Sequence, residues 1–449
     1  MMKTPICDFI AEYAKGDVLR LHMPGHKGCS IDTAWDFSHD ITEIDGADVL
    51  YHSDGIIEES QQNARTLFST QKTLYSTEGS SLSIRAMLYL ALLHAKKNHR
   101  QPLIAAGRNA HKVFMTAAAL LDLPVRWVYP QSETGLLCCK ITPDDVASLF
   151  TDTDQPPTAV YLTSPDYLGN LADIAGIAKI CHRHGALLLV DNAHGAYLRF
   201  LPKSEHPITN GADICCDSAH KTLPALTGAA YLHIAKDADA SLCEWACSAM
   251  SLFASTSPSY VILSSLDRLN GYLYEGYAQK LASYCERLDD LKQSLADHGF
   301  HFVGNEPLKL TLYTKPFGYT GNDVASHLMA HRIVPEFYDP DHVVLMMTPE
   351  IPEHAHAHLH KVLCSMEQRP PIISRPPRLP HPKTVLSVRE ALLSPHVTIP
   401  ISECRGKILA APAVSCPPAI PAAICGEEID DDVIALLSYY GHEHCCVVE

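Results

Sequence analysis

Short, continuously apolar runs alternate with amphipathic stretches between residues 70 and 235, and this alternation constrains the fold more than any other feature. An apolar run of four or five residues is typical of a strand covered on both faces, as in a parallel sheet. The amphipathic segment 174–184 lies between two such runs and is expected to form a crossover helix. The pattern predicts a doubly wound α/β domain with buried strands at 103–106, 158–162, 186–190 and 214–216 and a further strand at 230–234.

The rest of the sequence predicts further parts beyond this domain. Residues 260–300 carry leucines at helical spacing. Residues 301–366 mix strand-like runs at 308–312 and 343–347 with a helix at 354–366, and six prolines between 367 and 382 exclude a helix or an inner strand there. We predict a large domain with an N-terminal arm over 1–300, a small α+β domain over 301–366, a proline-rich linker over 367–382 and a C-terminal module over 383–449.

Composition narrows the possible partners and the compartment. A net charge of −16 argues against a general affinity for nucleic acid or for an anionic membrane. No apolar run reaches the roughly 20 residues of a membrane span, and the N-terminus lacks the basic-then-apolar pattern of a signal peptide. The 16 cysteines lie mostly in apolar runs without a CxxC pair, so we expect reduced thiols in a cytoplasm.

A lysine that follows a buried strand is the first candidate for chemistry. Lys221 comes directly after Ser218 and His220 at the end of the run at 214–216. A lysine in this place suits a Schiff base with an aldehyde cofactor whose phosphate the hydroxyl and the imidazole bind. An exposed loop lysine is the simpler interpretation of the motif taken alone. Lys112 and Lys27 compete for this role, but neither has a Ser-x-His pattern beside it.

Two further motifs could complete a site for pyridoxal phosphate. Gly79, Ser80 and Ser81 precede an amphipathic helix, where Gly79 permits close backbone approach and either serine can cap the helix and donate a hydroxyl. The amides and the dipole of the helix start would hold the phosphate, although an ordinary helix cap is the alternative. Asp191 follows the strand at 186–190 and would keep the pyridine nitrogen protonated, unless it only caps a helix.

Two histidines are candidates for the same site. His194 lies three residues after Asp191 and could face the same space. His111 follows the strand at 103–106, and its flat imidazole could pack on the pyridine ring while transferring a proton. A structural hydrogen bond is the alternative for each histidine.

Two patterns could instead bind a metal, in a protein that is not an enzyme. Four histidines alternate in one predicted helix, so two pairs have the i, i+4 spacing that can chelate. Both patterns lie in polar, surface-like contexts without evident carboxylate partners, and we predict no metal site. The patterns are His354, His356, His358 and His360, and His442, His444, Cys445 and Cys446.

With these residues assembled, the chain resembles the Orn/Lys/Arg decarboxylase family of fold-type I pyridoxal phosphate enzymes over almost its whole length. The resemblance implies decarboxylation of a basic amino acid, arginine first and lysine or ornithine next, to the amine used in polyamine biosynthesis. The chain starts close to the family's N-terminal signature, so we expect the short, biosynthetic type. The matching segments are LHMPGHKG at 21–28, TSPDYLG at 163–169, VDNAHGA at 190–196, SAHKTL at 218–223, TSPSY at 256–260, SVREA at 387–391 and PPAIP at 417–421.

The resemblance also implies a role for each candidate residue. It implies that Lys221 carries the cofactor, that Asp191 pairs with the pyridinium and that His111 stacks on the ring. The family builds its site at a homodimer interface, which implies that residues from loops of one subunit reach the site of the other. The implied phosphate contacts are Ser218, His220, Ser80 or Ser81 and, from the neighbouring subunit, Thr256 or Ser257; the implied substrate contacts are Glu336, Asp339 and His26.

The chain departs from the family pattern at several positions, so the resemblance does not fix the substrate pocket or its specificity. Asn192 stands where an acidic residue is common, and Tyr197 stands where a histidine is expected. Another fold-type I reaction, an aminotransferase or a lyase, is therefore the alternative, with Arg332 as a possible carboxylate clamp. The other departures are the pair Gly228 and Ala229, Ala419 in place of a glycine and Cys425 in place of a proline.

Overall fold

A computed structural model gives the fold as two compact units, each built from two separate stretches of chain. One unit joins residues 1–101 to 181–280, and the other joins 102–180 to 281–449. The domain boundaries that the sequence predicts stay predictions. The structure describes residues 2–31, 36–130, 139–151, 153–411 and 421–449.

Four strands of the first unit lie side by side in the order Lys72–Ser76, Ala230–Ile234, Ile214–Asp217, Leu187–Asp191. The last two strands are parallel, whereas Ala230–Ile234 runs antiparallel to both of its neighbours. The helices are Pro5–Lys15, Ile56–Phe68, Gly79–Lys97, Ala219–Thr222, Ala240–Phe253 and Tyr260–Tyr272, with short turns at Ala196–Phe200, Pro207–Asn210 and Leu273–Tyr277.

The second unit contains three parallel strands and two small antiparallel sheets. The parallel strands lie in the order Ala159–Thr163, Ile104–Gly107, Val125–Val128. The antiparallel sheets are Phe337–Tyr338, His342–Met346, Lys309–Tyr313 and His301–Val303, and His396–Pro400 with His444–Val448. The helices are Lys112–Leu120, Pro143–Ser148, Gly321–Ala330, His354–Cys364, Val388–Leu392 and Asp431–Tyr439, with short turns at Lys315–Phe317 and Ile401–Glu403.

Two helices, Ile174–Arg183 and Ala278–Asp297, cross the boundaries between the units along the chain. The first of them confirms the crossover helix that the sequence predicts at 174–184. No helix among the described residues combines the length and the apolarity that a membrane span requires.

The apolar runs predict the buried strands to within a residue or two at each end. Strands Leu187–Asp191 and Ala230–Ile234 are buried at every position, as continuous apolar runs require. The apolar pattern does not predict the strand Lys72–Ser76, because this strand mixes polar and apolar residues like a loop. Tyr75 from that strand packs against Tyr231 with ring centroids 5.7 Å apart, so long-range packing explains the strand.

A buried ion pair joins two distant segments of the second unit. Arg108 follows the strand Ile104–Gly107 and donates two hydrogen bonds to the carboxylate of Glu427, at 2.6 and 3.0 Å. The exposed fractions of the two side chains are 0% and 3%. The guanidinium also lies 4.8 Å from the ring centroid of Tyr129. The pair therefore holds the C-terminal segment against the segment that carries His111.

We expect Glu427→Gln to lower the free energy of unfolding by about 3–5 kcal/mol, because the guanidinium charge of Arg108 would stay buried without a carboxylate. Chemical denaturation followed by circular dichroism measures this loss. The control is Glu428→Gln, at the partly exposed neighbouring position, which we expect to change stability by no more than about 0.5 kcal/mol. Equal losses in the two variants would contradict the importance of the ion pair.

Candidate active site

Lys221 and His194 meet at the carboxyl ends of two neighbouring parallel strands. Lys221 lies in the short helix Ala219–Thr222, directly after strand Ile214–Asp217, and His194 lies three residues beyond strand Leu187–Asp191. The distance from Lys221 Nζ to His194 Nε2 is 3.2 Å. The carboxyl edge of an open α/β sheet is where ligands bind. The structure therefore brings these two predicted residues together at a place suited to a site.

Asp191 is the last residue of its strand and is 3% exposed. Its Oδ1 accepts a hydrogen bond from the backbone N–H of Ala193 at 3.1 Å and contacts the Cys216 thiol at 3.6 Å. Burial and the nearby Asp191 carboxylate raise the pKa of the Cys216 thiol well above its ordinary value, so this thiol stays protonated. A buried carboxylate is suited to a cationic partner such as a protonated pyridine nitrogen.

Residues of the predicted phosphate cradle lie close together within the first unit. Ser218 Oγ donates a hydrogen bond to Ser80 Oγ at 2.9 Å. Helix Gly79–Lys97 begins beside this pair, and a side-chain carbon built on Gly79 would meet no atom within 4 Å. Two hydroxyls, a helix N-terminus and open space beside a glycine are the features that bind a phosphate group. These residues therefore fit the phosphate of an aldehyde cofactor.

The cap of this helix differs from the prediction. The helix begins at Gly79, so Ser80 and Ser81 lie inside its first turn and cannot be its cap. Glu78 occupies the cap position, and its side chain accepts the backbone N–H of Ser255 at 2.7 Å instead of a helix amide. The first-turn amides therefore have no cap from that side chain.

The backbone geometry explains why position 228, a departure from the family pattern, is a glycine. Its φ of +98° lies in the left-handed region, and its carbonyl accepts the Gly79 N–H at 2.7 Å. A Cβ at this position would lie 2.9 Å from the backbone oxygen of Thr77. Only glycine satisfies both constraints, so the loop after Lys221 can approach the cradle closely.

His220, a predicted phosphate contact, already uses one ring nitrogen in a hydrogen bond to the backbone. Its Nδ1 donates to the carbonyl of Ala229 at 2.9 Å, and burial lowers the pKa of the imidazole below its ordinary value. A neutral ring in this tautomer presents Nε2 as an acceptor. His220 could therefore donate to a phosphate only if its Nε2 were protonated. Its contact with phosphate stays a prediction.

Three predicted residues lie in exposed loops or in the N-terminal arm of the first unit. Thr256 and Ser257 are exposed, between helices Ala240–Phe253 and Tyr260–Tyr272. His26 uses both ring nitrogens within its own segment: Nε2 lies 3.1 Å from Asp40 Oδ2, and Nδ1 accepts the Gly28 N–H at 2.9 Å. The contacts of all three with phosphate or substrate stay predictions.

Three predicted residues lie in the second unit. His111 is the N-cap of helix Lys112–Leu120, where its Nδ1 accepts the Val113 N–H at 3.3 Å. Glu336 is exposed and accepts a hydrogen bond from the Tyr167 hydroxyl at 3.1 Å.

Asp339, in contrast, is buried in a turn. It accepts the amides of Asp341 and His342 at 2.7 and 2.6 Å. The carboxylate of Glu336 is thus exposed and that of Asp339 is not, and the contacts of both with substrate stay predictions.

The alternating histidines of helix His354–Cys364 contact different partners. The distances are 2.9 Å from His356 Nε2 to Tyr284 OH, 3.1 Å from His358 Nε2 to His331 O, and 2.9 Å from His360 Nε2 to Ser294 Oγ. These three imidazoles therefore do not converge on one point.

Two residues of the second metal pattern, His444 and Cys445, lie on opposite faces of one strand. Strand His444–Val448 buries Cys445 and leaves His444 exposed, as a period of two residues requires.

Sequence reasoning missed a different group of titratable side chains. His206, Asp217 and His233 are fully buried in the first unit, and their ligand-type atoms lie within 4.8 Å of one another. Asp217 directly precedes Ser218, so the acidic residue next to the lysine motif could have been noticed in the sequence. Its histidine partners lie 11 and 16 positions away along the chain, at spacings that no local motif links.

The motif PPAIP lies outside the described residues except for Pro421. Of the other departures, Tyr197 and Cys425 are buried, at 0% and 1% exposure. Burial raises the pKa of the Cys425 thiol to about 12, which makes it an inert packing residue.

We expect Gly228→Ala to lower the thermal midpoint of the protein more than Gly276→Ala does. Both glycines have φ near +90°, but only the Cβ at 228 would meet backbone, since the nearest atom at 276 is the flexible Gln279 side chain at 4.0 Å. The left-handed conformation costs roughly 1–2 kcal/mol in either variant. Differential scanning calorimetry measures the additional loss of thermal midpoint in Gly228→Ala. Equal midpoints in the two variants would contradict the close approach of Gly228 to the Thr77 backbone.

Comparison with known proteins agrees with this geometry. A family model described as Orn/Lys/Arg decarboxylase, major domain, matches residues 4–303. The arginine decarboxylases of Bacillus subtilis and Halalkalibacterium halodurans are 27% and 25% identical to the chain, and each alignment covers 97% of this chain and 93% of the relative. The solved lysine decarboxylase of Francisella novicida superposes with a TM-score of 0.80 at 16% identity, covering 100% of this chain and 81% of that one.

These findings confirm the fold class that the sequence predicts. The fold is α/β and of fold type I, with a mainly parallel sheet in the large domain and smaller α+β parts towards the C-terminus. The family model covers more than half of the chain. The chain therefore belongs to the Orn/Lys/Arg decarboxylase family, and it is a pyridoxal-phosphate-dependent amino acid decarboxylase.

Proposed function

We propose that this chain binds pyridoxal 5'-phosphate through Lys221 and decarboxylates arginine in preference to lysine or ornithine. The observation that carries the proposal is the contact between Lys221 Nζ and His194 Nε2 at 3.2 Å. The buried carboxylate of Asp191, three residues before His194, supports it. Family membership and the arginine decarboxylases among the relatives support the reaction and the first substrate.

The residues of the first unit fit the cofactor by their chemistry. Ser218, Ser80 and the start of helix Gly79–Lys97 would hold the phosphate, and Asp191 would hold the pyridine nitrogen. Lys221 would hold the aldehyde carbon. His111 is proposed to cover a face of the ring, as the resemblance implies.

Pyridoxal phosphate, when bound, supplies the electron sink for cleavage of the bond between Cα and the carboxylate. Asp191 would keep a proton on the pyridine nitrogen, because a buried carboxylate favours a cation beside it. His194 Nε2 can accept a proton from the ammonium of Lys221 across their 3.2 Å contact. The neutral amine that results is the form that would bond to an aldehyde carbon, and His194 Nε2 would hold the displaced proton until Nζ takes it back.

Recognition of a cationic side chain would require an exposed acidic partner. Glu336 is exposed, and its carboxylate is oriented by the Tyr167 hydroxyl at 3.1 Å. Asp339 is engaged in its turn, so we assign the substrate cation to Glu336. Arginine would offer this carboxylate a planar, bidentate guanidinium, which lysine and ornithine lack.

We also propose that the protein is a homodimer that acts in the cytoplasm, in polyamine biosynthesis. The N-terminal arm supports a dimer because it exposes large apolar side chains, which a second subunit could cover. Exposed Thr256 and Ser257 would reach the partner's phosphate. The exposed fractions in the arm are 50% for Val18, 81% for Leu19, 81% for Leu21, 64% for Met23 and 81% for Ile31.

Replacement of Lys221 by alanine tests the cofactor assignment. We expect Lys221→Ala to lose the visible absorption band of bound pyridoxal phosphate together with amine production, because its Nζ is the amine assigned to the aldehyde. Lys112→Ala and Lys27→Ala, which remove the two competing lysines, are expected to keep the band. Loss of the band in either of these variants, with retention in Lys221→Ala, would overturn the assignment.

Replacement of Glu336 by glutamine tests substrate recognition. We expect Glu336→Gln to lower kcat/KM for arginine by about 10- to 100-fold, since a hydrogen bond to a charged group contributes about 1.5–3 kcal/mol. The change should lie mainly in KM, because the side-chain contact is the same before and during the reaction. Glu353→Gln, at an exposed position nearby in sequence, is the matched control. An unchanged KM in Glu336→Gln would remove Glu336 from the pocket.

A further inference from the structure

Asp217 is the centre of a fully buried polar group next to the candidate site. It is the last residue of strand Ile214–Asp217, and its side chain is 0% exposed. Its Oδ2 lies 2.9 Å from His206 Nε2 and 3.3 Å from His233 Nε2. A buried carboxylate needs such partners because the loss of water otherwise costs several kcal/mol.

The other oxygen of Asp217 holds the chain beside Asp191. Asn192 Nδ2 donates a hydrogen bond to Asp217 Oδ1 at 2.7 Å, and the Asn192 backbone N–H donates to the Cys216 carbonyl at 3.0 Å. Asn192 directly follows Asp191, and Asp217 directly precedes Ser218. One carboxylate therefore ties together the two strand ends from which Asp191 and Lys221 emerge.

The electrostatics agree with an ionised Asp217. Burial alone would raise its pKa, but attraction to His206 and the contacts with both histidines outweigh it, so the pKa of Asp217 lies well below its ordinary value. Burial lowers the pKa of His233, which favours a neutral ring at that position. The interior thus contains an anion whose hydrogen bonds restrict both strand ends.

We propose that Asp217 is a positioning residue, which sets the carboxylate of Asp191 relative to Lys221 through its hydrogen bond with Asn192. The inference rests on the proposed function, because the positioned groups are those assigned to the cofactor. It also explains Asn192, the departure from a commonly acidic position. A carboxylate at 192 would face the Asp217 oxygen at hydrogen-bond distance without a proton between them, whereas the amide supplies a donor.

The same three residues could be considered for a metal ion, but their contacts favour a hydrogen-bond network. Asp217 Oδ1 already accepts an amide N–H from Asn192, and Asp217 Oδ2 already accepts from His206. An amide nitrogen of asparagine is a donor and not a metal ligand. A bound metal is therefore an outcome of the test that would contradict the proposal.

The test compares four variants in their affinity for pyridoxal phosphate and in the visible spectrum of the bound cofactor. Asp217→Asn removes the charge, Asn192→Ala removes only the link between the strand ends, and Asn192→Asp places two carboxylates together. The double variant Asn192→Asp/Asp217→Asn exchanges acid and amide. Asp237→Asn, at an exposed position of the same unit, is the control.

We expect Asp217→Asn and Asn192→Ala each to bind the cofactor about tenfold or more weakly and to shift its absorption band, while Asp237→Asn matches the wild type. Asn192→Asp should lose affinity as well. The double variant should regain part of it and move the band back, because the amide at 217 can donate to the acid at 192. Asn192→Ala keeps the contact of Asp217 with His206, so it provides the answer if Asp217→Asn does not fold.

Three results would overturn the proposal. The first is a lower thermal midpoint in Asp217→Asn and Asn192→Ala with unchanged affinity and spectrum, which would assign the network to stability alone. The second is no recovery in the double variant relative to Asn192→Asp. The third is stoichiometric zinc in the purified wild type that is absent from Asp217→Asn. A wild type that binds no cofactor would instead refute the proposed function, so the two failures are distinguishable.

Discussion

The parallel pairing of strands Leu187–Asp191 and Ile214–Asp217 is the constraint on which the candidate site depends. The register places Asp191 opposite Cys216, so both strands end at the same edge and their following residues meet there. The contact between Lys221 and His194 is a consequence of that pairing. A slip of one residue would turn Asp191 to the opposite face of the sheet. The hydrogen bonds from Asn192 to Asp217 Oδ1 and to the Cys216 carbonyl depend on this register and oppose such a slip.

Buried charges lie on the segments that carry the candidate residues. Asp217 lies next to the lysine motif, and Arg108 lies three residues before His111. Each has a partner from another segment of its own unit, His206 for Asp217 and Glu427 for Arg108. A buried charge is costly when its partner moves away, so such pairs restrict the alternative arrangements of the segments that contain them. Their contribution is to geometry as much as to stability.

Local pattern in the sequence predicted much of the fold and the central residues of the site. Continuous apolar runs revealed the buried strands, and the position of Lys221 and Asp191 just after or at the end of such runs predicted their meeting. The pattern did not reveal the strand Lys72–Ser76 or the cap at Glu78, because tertiary packing decides both. Gly228 was noted as a departure, yet its reason, the approach of Thr77, is a contact across 151 positions of the chain.

The decisive measurement is the release of carbon dioxide from carboxyl-labelled arginine, lysine and ornithine, each offered separately to protein saturated with pyridoxal phosphate. We expect labelled carbon dioxide and an equal amount of the corresponding amine, with the highest kcat/KM for arginine. Formation of a keto acid without carbon dioxide, or no turnover of any of the three amino acids, would contradict it.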